Sequence, residues 1–217
     1  SSDLNLSTGR RILSLSLPRL STDRRQRRAE GRAWRSGSPP GRQATNFHRG
    51  RSGAGAPGLV EPDSRQRGAP LAVVAKVKNA LRLVAVDETA ERLGLTRGQA
   101  LADARAMIPT LAIADDDPAA DALLLGQIAD WAERYTPLVA IDGADGLMLD
   151  ITGCAHLFGG EPALVADCRA RLARQGFHLR AAVADTPGAA SAAARHADAG
   201  VVPEGDSART LAPLPLA

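Results

Sequence analysis

Leucine and serine alternate near the start of the chain. Leu13, Leu15 and Leu17 fall on one face of an extended backbone and Ser14 and Ser16 on the other. A period of two predicts a strand, which Pro18 ends. Residues 19–28 are basic and read as helical. From 29 to 68 no period of 2 or 3.6 is sustained; Gly, Pro, Ser and Arg dominate, which predicts a disordered segment. Patterning resumes at Pro70. Residues 71–75 and 81–86 are apolar runs that read as paired strands. Asp87 is placed to N-cap a helix over 88–93, with Gly94 at its C′ position. Thr96 is expected to cap a second helix over 97–107, stopped before Pro109. A short strand over 111–114 follows. Asp115, Asp116 and Asp117 precede Pro118, so they read as the cap of a long helix to about residue 134 rather than as a metal cluster.

The most chemically suggestive stretch is 135–160, YTPLVAIDGADGLMLDITGCAHLFGG. Residues 137–142 and 147–151 read as strands, and the Asp145-Gly146 step is a strong hairpin signal. Three carboxylates lie on this hairpin: Asp142, Asp145 and Asp150. Grouped acids of this kind can hold Mg²⁺ for phosphoryl transfer. Equally, Asp142 and Asp145 are turn formers and Asp150 a solvated strand residue. Beyond it, Leu164, Val165, Cys168 and Leu172 form one stripe of a helix over 161–175 that Gly176 ends. A strand over 179–184, a small-residue helix over 188–195 opened by Thr186-Pro187, and a last strand over 201–203 complete the pattern.

Composition narrows the class. The 217 residues suffice for one sizeable domain, and only six are aromatic. No apolar run approaches the roughly 18 residues of a membrane span, and the N-terminus lacks the apolar core of a signal peptide. Cys154 and Cys168 are too few for a disulfide scaffold, so a reducing cytosol is expected. Charge is uneven. Residues 1–68 hold 14 Arg and five acids, a net of 14 − 5 = +9, whereas 69–217 hold 13 bases and 19 acids, a net of 13 − 19 = −6. The basic part suits a phosphate backbone; a solvated Arg-rich tract without a partner fits the same count.

The hairpin resembles the palm of Y-family (UmuC/DinB-like) DNA polymerases, whose motif has the form YTPxVExxSxDEaxLDxTG. Tyr135, Thr136, Pro137, Val139, Asp145, Leu149, Asp150, Thr152 and Gly153 match it. The family's Glu after Val is here Ala140, and its catalytic Glu after Asp is Gly146. Residues 13–24, LSLSLPRLSTDR, and the runs LDITGCAHLFGG and ADTPGAA look most like the ImuB-type branch, in which catalytic residues are lost. Residues 86–109 follow the family's fingers segment through Ala90, Gly94, Gly98, Leu101, Ala104 and Pro109.

This resemblance implies an α+β chain: a ferredoxin-like palm, its sheet covered on one face by two helices with the acidic hairpin at its centre, and a small helical fingers subdomain. The expected divisions are a tail to residue 11, the first palm strand and start of the fingers over 12–28, a disordered or aberrant linker over 29–68, fingers over 69–107, palm over 108–203, and the start of a thumb over 204–217. It also implies that Ser16 and Pro18 stand where metal-binding acids belong, leaving Asp145 as the remaining metal ligand. Glu88 and Glu91 replace the Tyr and Arg that grip a triphosphate, and Ala189 and Ala193 replace lysines. A carboxylate in place of a cation repels that ligand.

The expected role is therefore a catalytically silent adaptor in translesion synthesis and damage-induced mutagenesis, without a cofactor. Its partners would be primer–template DNA, contacted through Arg10, Arg11, Arg19, Arg24 and Arg25, a replicative-type error-prone polymerase, an ImuA-type protein and the sliding clamp, in a bacterial, nucleoid-associated cytoplasmic setting. One alternative is an active error-prone polymerase using Mg²⁺ on Asp142, Asp145 and Asp150. Another is a truncated product that binds nucleic acid nonspecifically.

Overall fold

The leucine–serine alternation forms strand β1 (Ile12–Ser16), and the basic segment forms helix α1 (Leu20–Ala29). A computed structural model describes residues 9–31 and 69–212; most of the segment expected to be disordered, and residues 213–217 of the expected thumb, lie outside these. Strands β2 (Leu71–Val77) and β3 (Ala80–Val86) are joined by Lys78 and Asn79, both with positive φ, as a two-residue hairpin requires. Asp87 caps helix α2 (Glu88–Arg92): its carboxylate accepts from the Ala90 N–H at 2.7 Å. The expected cap at Thr96 does not form. Residues 96–99 make a turn instead, the Gly98 N–H bonds to the Leu83 carbonyl, and Ala100 bridges to Arg82. Pairing with β3 therefore delays helix α3 to Leu101–Met107.

Strand β4 (Ala112–Asp115) precedes helix α4 (Pro118–Ala132), which Asp117 caps through the Ala120 N–H with Pro118 in the first turn. Strands β5 (Val139–Asp142) and β6 (Gly146–Asp150) form the acidic hairpin. Gly146 is already paired with Asp142, so the positive φ of the turn falls on Gly143 rather than on the Asp-Gly step. A 3₁₀ turn (Ala155–Phe158) leads to helix α5 (Glu161–Arg174). Strand β7 (Arg180–Ala184) is followed by helix α6 (Pro187–Ala192), a π turn (Ala193–Ala197), strand β8 (Gly200–Val201) and helix α7 (Ser207–Leu211).

The larger sheet has the order β5-β6-β1-β7-β8. β1 runs antiparallel to both neighbours, with Ile12 opposite Asp150 and Ala184, and Ser16 opposite Gly146 and Arg180. The order β1-α4-β5-β6-α5-β7 is the ferredoxin-like arrangement. Its core joins Leu13, Leu15 and Leu17 to Leu124, Leu125, Ile128 and Trp131 of α4 and to Leu164, Val165, Cys168 and Leu172 of α5.

Two expectations about this sheet are corrected. The hairpin lies at one edge, because β1 takes the centre by pairing on both sides. Nor is only one face covered: the serine face of β1 is buried, with Ser14 and Ser16 1% and 2% exposed. Ala189, Ala190, Ala193 and Ala194 pack with Ile12, Ala182 and Ala184 on the opposite side, their small side chains permitting close approach.

The smaller unit carries the two expected fingers helices, α2 and α3, on a sheet of order β3-β2-β4 that includes the strand pair read from the sequence. Residues 112–115, counted with the palm in the sequence reading, pair in parallel with β2 and belong here. Helix α1 touches both units: Gln26 donates to Asp87 at 2.8 Å, and Arg19 pairs with Glu88 and Glu91. Asp87 is thus both cap and tie. Asp87→Ala is expected to lower stability by about 1–2 kcal/mol in denaturant unfolding, with Asp87→Asn retaining most of it because an amide oxygen still caps.

Candidate functional site

The antiparallel register brings the end of β1, the start of β6 and the start of β7 to one end of the large sheet. The Leu17 N–H donates to the Asp145 carbonyl at 2.7 Å and fastens the hairpin turn to β1. Asp142 and Asp145 meet here, but Asp150 does not. It lies four residues along β6, roughly 13 Å away at about 3.4 Å per residue. There it accepts from Arg10 Nε at 3.0 Å and the Thr152 N–H at 3.1 Å. Burial works against its charge, yet Thr152 and Arg10 hold the carboxyl below its ordinary range. The proposed metal set of Asp142, Asp145 and Asp150 is therefore corrected. Among the described residues, no three His, Cys, Asp or Glu side chains come together as a metal site.

A residue not singled out from sequence organises the hairpin. Arg195, in the π turn, donates from Nη1 to Asp145 Oδ1 at 2.7 Å and from Nη2 to the Asp142 carbonyl at 3.3 Å and its carboxylate at 3.4 Å. Ser191, one turn earlier, donates to Asp142 Oδ2 at 3.1 Å and accepts from Arg195 Nε at 3.3 Å. Burial opposes the guanidinium charge, but the two carboxylates outweigh it and raise the Arg195 pKa. The available sequence signal was a lone cation closing an alanine-rich helix. Its partners lie some fifty residues upstream.

Gly146 is enclosed by the same contacts. A Cβ on it would stand 2.6 Å from the Asp142 carbonyl oxygen, 2.8 Å from Arg195 Nη2 and 3.3 Å from Asp142 Cβ. Two-metal phosphoryl transfer needs several carboxylates around ions about 3.5–4 Å apart. Here Ser16 faces Gly146 across the strands, and Asp145 is held by a guanidinium. These residues do not fit a two-Mg²⁺ site.

Of the other positions singled out, Glu88 and Glu91 are paired with Arg19. Ala189 and Ala193 are buried in the alanine layer, and Ala140 is exposed on edge strand β5. The arginines expected to meet DNA divide. Arg11 is 7% exposed and bound to Glu161, Asp185 and the Val202 carbonyl, which places its guanidinium inside the protein; the expectation of a DNA contact there is corrected. Arg19 and Arg24 are largely covered and committed, Arg24 to Asp121 at 2.5 Å. Arg25 is half-buried, and burial and Arg24 lower its pKa. Arg10 is the exposed member of the group despite its bond to Asp150. No helix of the described residues is long and apolar enough to cross a membrane.

Comparison with known proteins agrees with this architecture. Residues 60–195 match the model of the impB/mucB/samB family. Protein ImuB of Caulobacter vibrioides, from strain NA1000 / CB15N and from strain ATCC 19089 / CIP 103742 / CB 15, is 52% identical over 126 residues, 58% of this chain and 28% of that protein. The chain thus spans under a third of the length of these relatives. An insertion ternary complex of Dbh DNA polymerase superposes with a TM-score of 0.62 at 12% identity, covering 89% of this chain and 48% of that one. DinB from Sulfolobus solfataricus gives 0.59 at 12% identity over 92% of this chain and 50% of that one. At that identity the structures establish the fold, that of the Y-family polymerases, and the matched sequence establishes kinship: the chain belongs to the impB/mucB/samB family.

Proposed function

We propose that this chain is the polymerase-like part of a catalytically silent adaptor in translesion DNA synthesis and damage-induced mutagenesis. The observation that carries the reading is the closure of the hairpin around Gly146. The space a catalytic carboxylate would need at that position is taken by the Asp142 carbonyl and the Arg195 guanidinium. A site that had lost one ligand by a single substitution would keep an empty place for it. This one has been rebuilt around the loss, with a protein cation seated on the remaining acids. The triphosphate-gripping positions support the same reading, since Glu88 and Glu91 now serve to dock α2 on Arg19.

In this role the protein holds primer–template DNA and brings together a replicative-type error-prone polymerase, an ImuA-type protein and the sliding clamp, in the bacterial cytoplasm at the nucleoid. The test is primer extension by the full-length protein in Mg²⁺ and separately in Mn²⁺. No incorporation, with DNA binding intact and a polymerase or clamp co-purifying, is expected. Incorporation that Asp145→Ala abolishes would overturn the reading.

A further inference from the structure

At the same end of the sheet lies a cleft of about 310 Å³ lined by His178, Arg180, His196, Ala197 and Asp198. Arg180 opposes Ser16, which opposes Gly146, so the cleft stands two strand spacings, roughly 10 Å, from the hairpin. Neither Arg180 nor either histidine is among the positions at which the family grips a triphosphate.

Its charges are unevenly satisfied. Arg180 Nη1 donates to the Arg195 carbonyl at 2.7 Å, which orients the guanidinium and satisfies one carbonyl of the π turn. The Asp198 carboxylate, the acid of the cleft, is already taken: it pairs with Arg169 and accepts from the Ala181 N–H at 2.9 Å. The imidazoles of His178 and His196 make no hydrogen bond among the described residues. Burial first, then the nearby Arg19 and Arg180, pull the His178 pKa down against the weaker opposing effect of Glu88 and Glu91. Two guanidinium groups, Arg19 and Arg180, thus stand near His178. A fixed guanidinium, two unpartnered imidazoles and a neutralised carboxylate around an open cleft suit one small polyoxyanion.

We propose that His178, Arg180 and His196 form a seat for a single phosphate group, supplied either by a nucleic-acid backbone or by a free nucleotide. The seat does not depend on whether the hairpin is silent.

The chain has four histidines, His48, His156, His178 and His196, so histidine-selective NMR reads the site directly. Inorganic phosphate, a deoxynucleoside triphosphate and a short duplex without terminal phosphates are titrated in turn. Signals of His178 and His196 are expected to move and those of His48 and His156 to stay. Movement with the duplex identifies the backbone as source; movement with the triphosphate but not the duplex identifies the nucleotide. Arg180→Gln is expected to weaken the responding ligand about tenfold and, for DNA, to reduce the salt slope by about one. His196→Gln changes an exposed residue, so it separates lost binding from lost folding. Unmoved signals with all three ligands, or undiminished affinity in both variants, would overturn the proposal.

Discussion

Arg11→Met is expected to cost about 3–5 kcal/mol of stability, measured as a lower denaturant midpoint at an unchanged m-value. Arg11 Nε and Nη2 grip both Glu161 oxygens at 2.7 Å, Nη1 reaches Asp185 at 2.5 Å, and Nη2 also reaches the Val202 carbonyl at 2.8 Å. One guanidinium thereby ties the strand entering the sheet centre to the start of α5, to the loop after β7 and to the segment before α7. Removing it leaves two carboxylates facing each other. Their side chains are 21% and 25% exposed, so water relieves part of the penalty and the lower end of the range is favoured. The pH dependence has a definite sign. The Gly205 N–H, with Arg11, holds the Asp185 carboxyl below its ordinary range despite burial. A depressed carboxylate contributes stability above its unfolded pKa and loses it as pH falls through the folded value. The difference between wild type and Arg11→Met should therefore shrink in acid. The neighbouring Arg10→Gln, at an exposed position, should change stability by less than about 0.5 kcal/mol. A mild effect of Arg11→Met, or one equal to that of Arg10→Gln, would refute the internal role given to Arg11.

Asp23→Asn should act in the opposite direction and stabilise the protein. Asp23 is 6% exposed on α1, and its carboxylate accepts from the His178 N–H at 2.8 Å. Burial raises its pKa from 3.8 to about 7, against the lowering influence of that N–H, Arg19 and Arg27. The folded state therefore holds a proton that the unfolded chain releases near pH 4. Stability falls as pH rises from about 4 to about 7 and is level above, because only in that window does the folded state bind more protons. At about 1.4 kcal/mol per pH unit the accumulated loss at pH 8 is on the order of 4 kcal/mol. Asparagine keeps an oxygen for the His178 N–H and carries no charge. Its gain should be largest at pH 8 and roughly a third of that at pH 5, in parallel urea titrations. Equal midpoints for variant and wild type at pH 8 would rule out the buried charge as a strain on the fold.

The contrast between these residues indicates what could be read from the chain in advance. Asp87, Asp117 and Thr186 are visible as caps because a cap acts on an N–H only three residues away. The strand–helix order that gives the ferredoxin-like sheet is likewise visible, since each period is local. The motif places Asp145 at the sheet end where the candidate site lies. It does not show that Arg195 occupies Asp145, because that contact depends on how α6 crosses the sheet. Arg11 and Arg24 look like any surface arginine until Glu161, Asp185 and Asp121 arrive from distant segments. The Thr96 cap fails because the Gly98–Leu83 bond outweighs a local preference. The buried serines of β1 escape notice because an alanine layer, poor in large side chains, carries little hydrophobic signal.

The register of β1 also constrains when this protein can become itself. Ile12 closes its ladders only against Asp150 and Ala184. The strand at the middle of the sheet is therefore synthesised long before either neighbour. Until both neighbours arrive, a run of leucines without partners must be carried by the growing chain. Contacts spanning so much sequence are slow to find. During that wait, the segment that anchors the finished palm is also the one most in need of shelter from other chains.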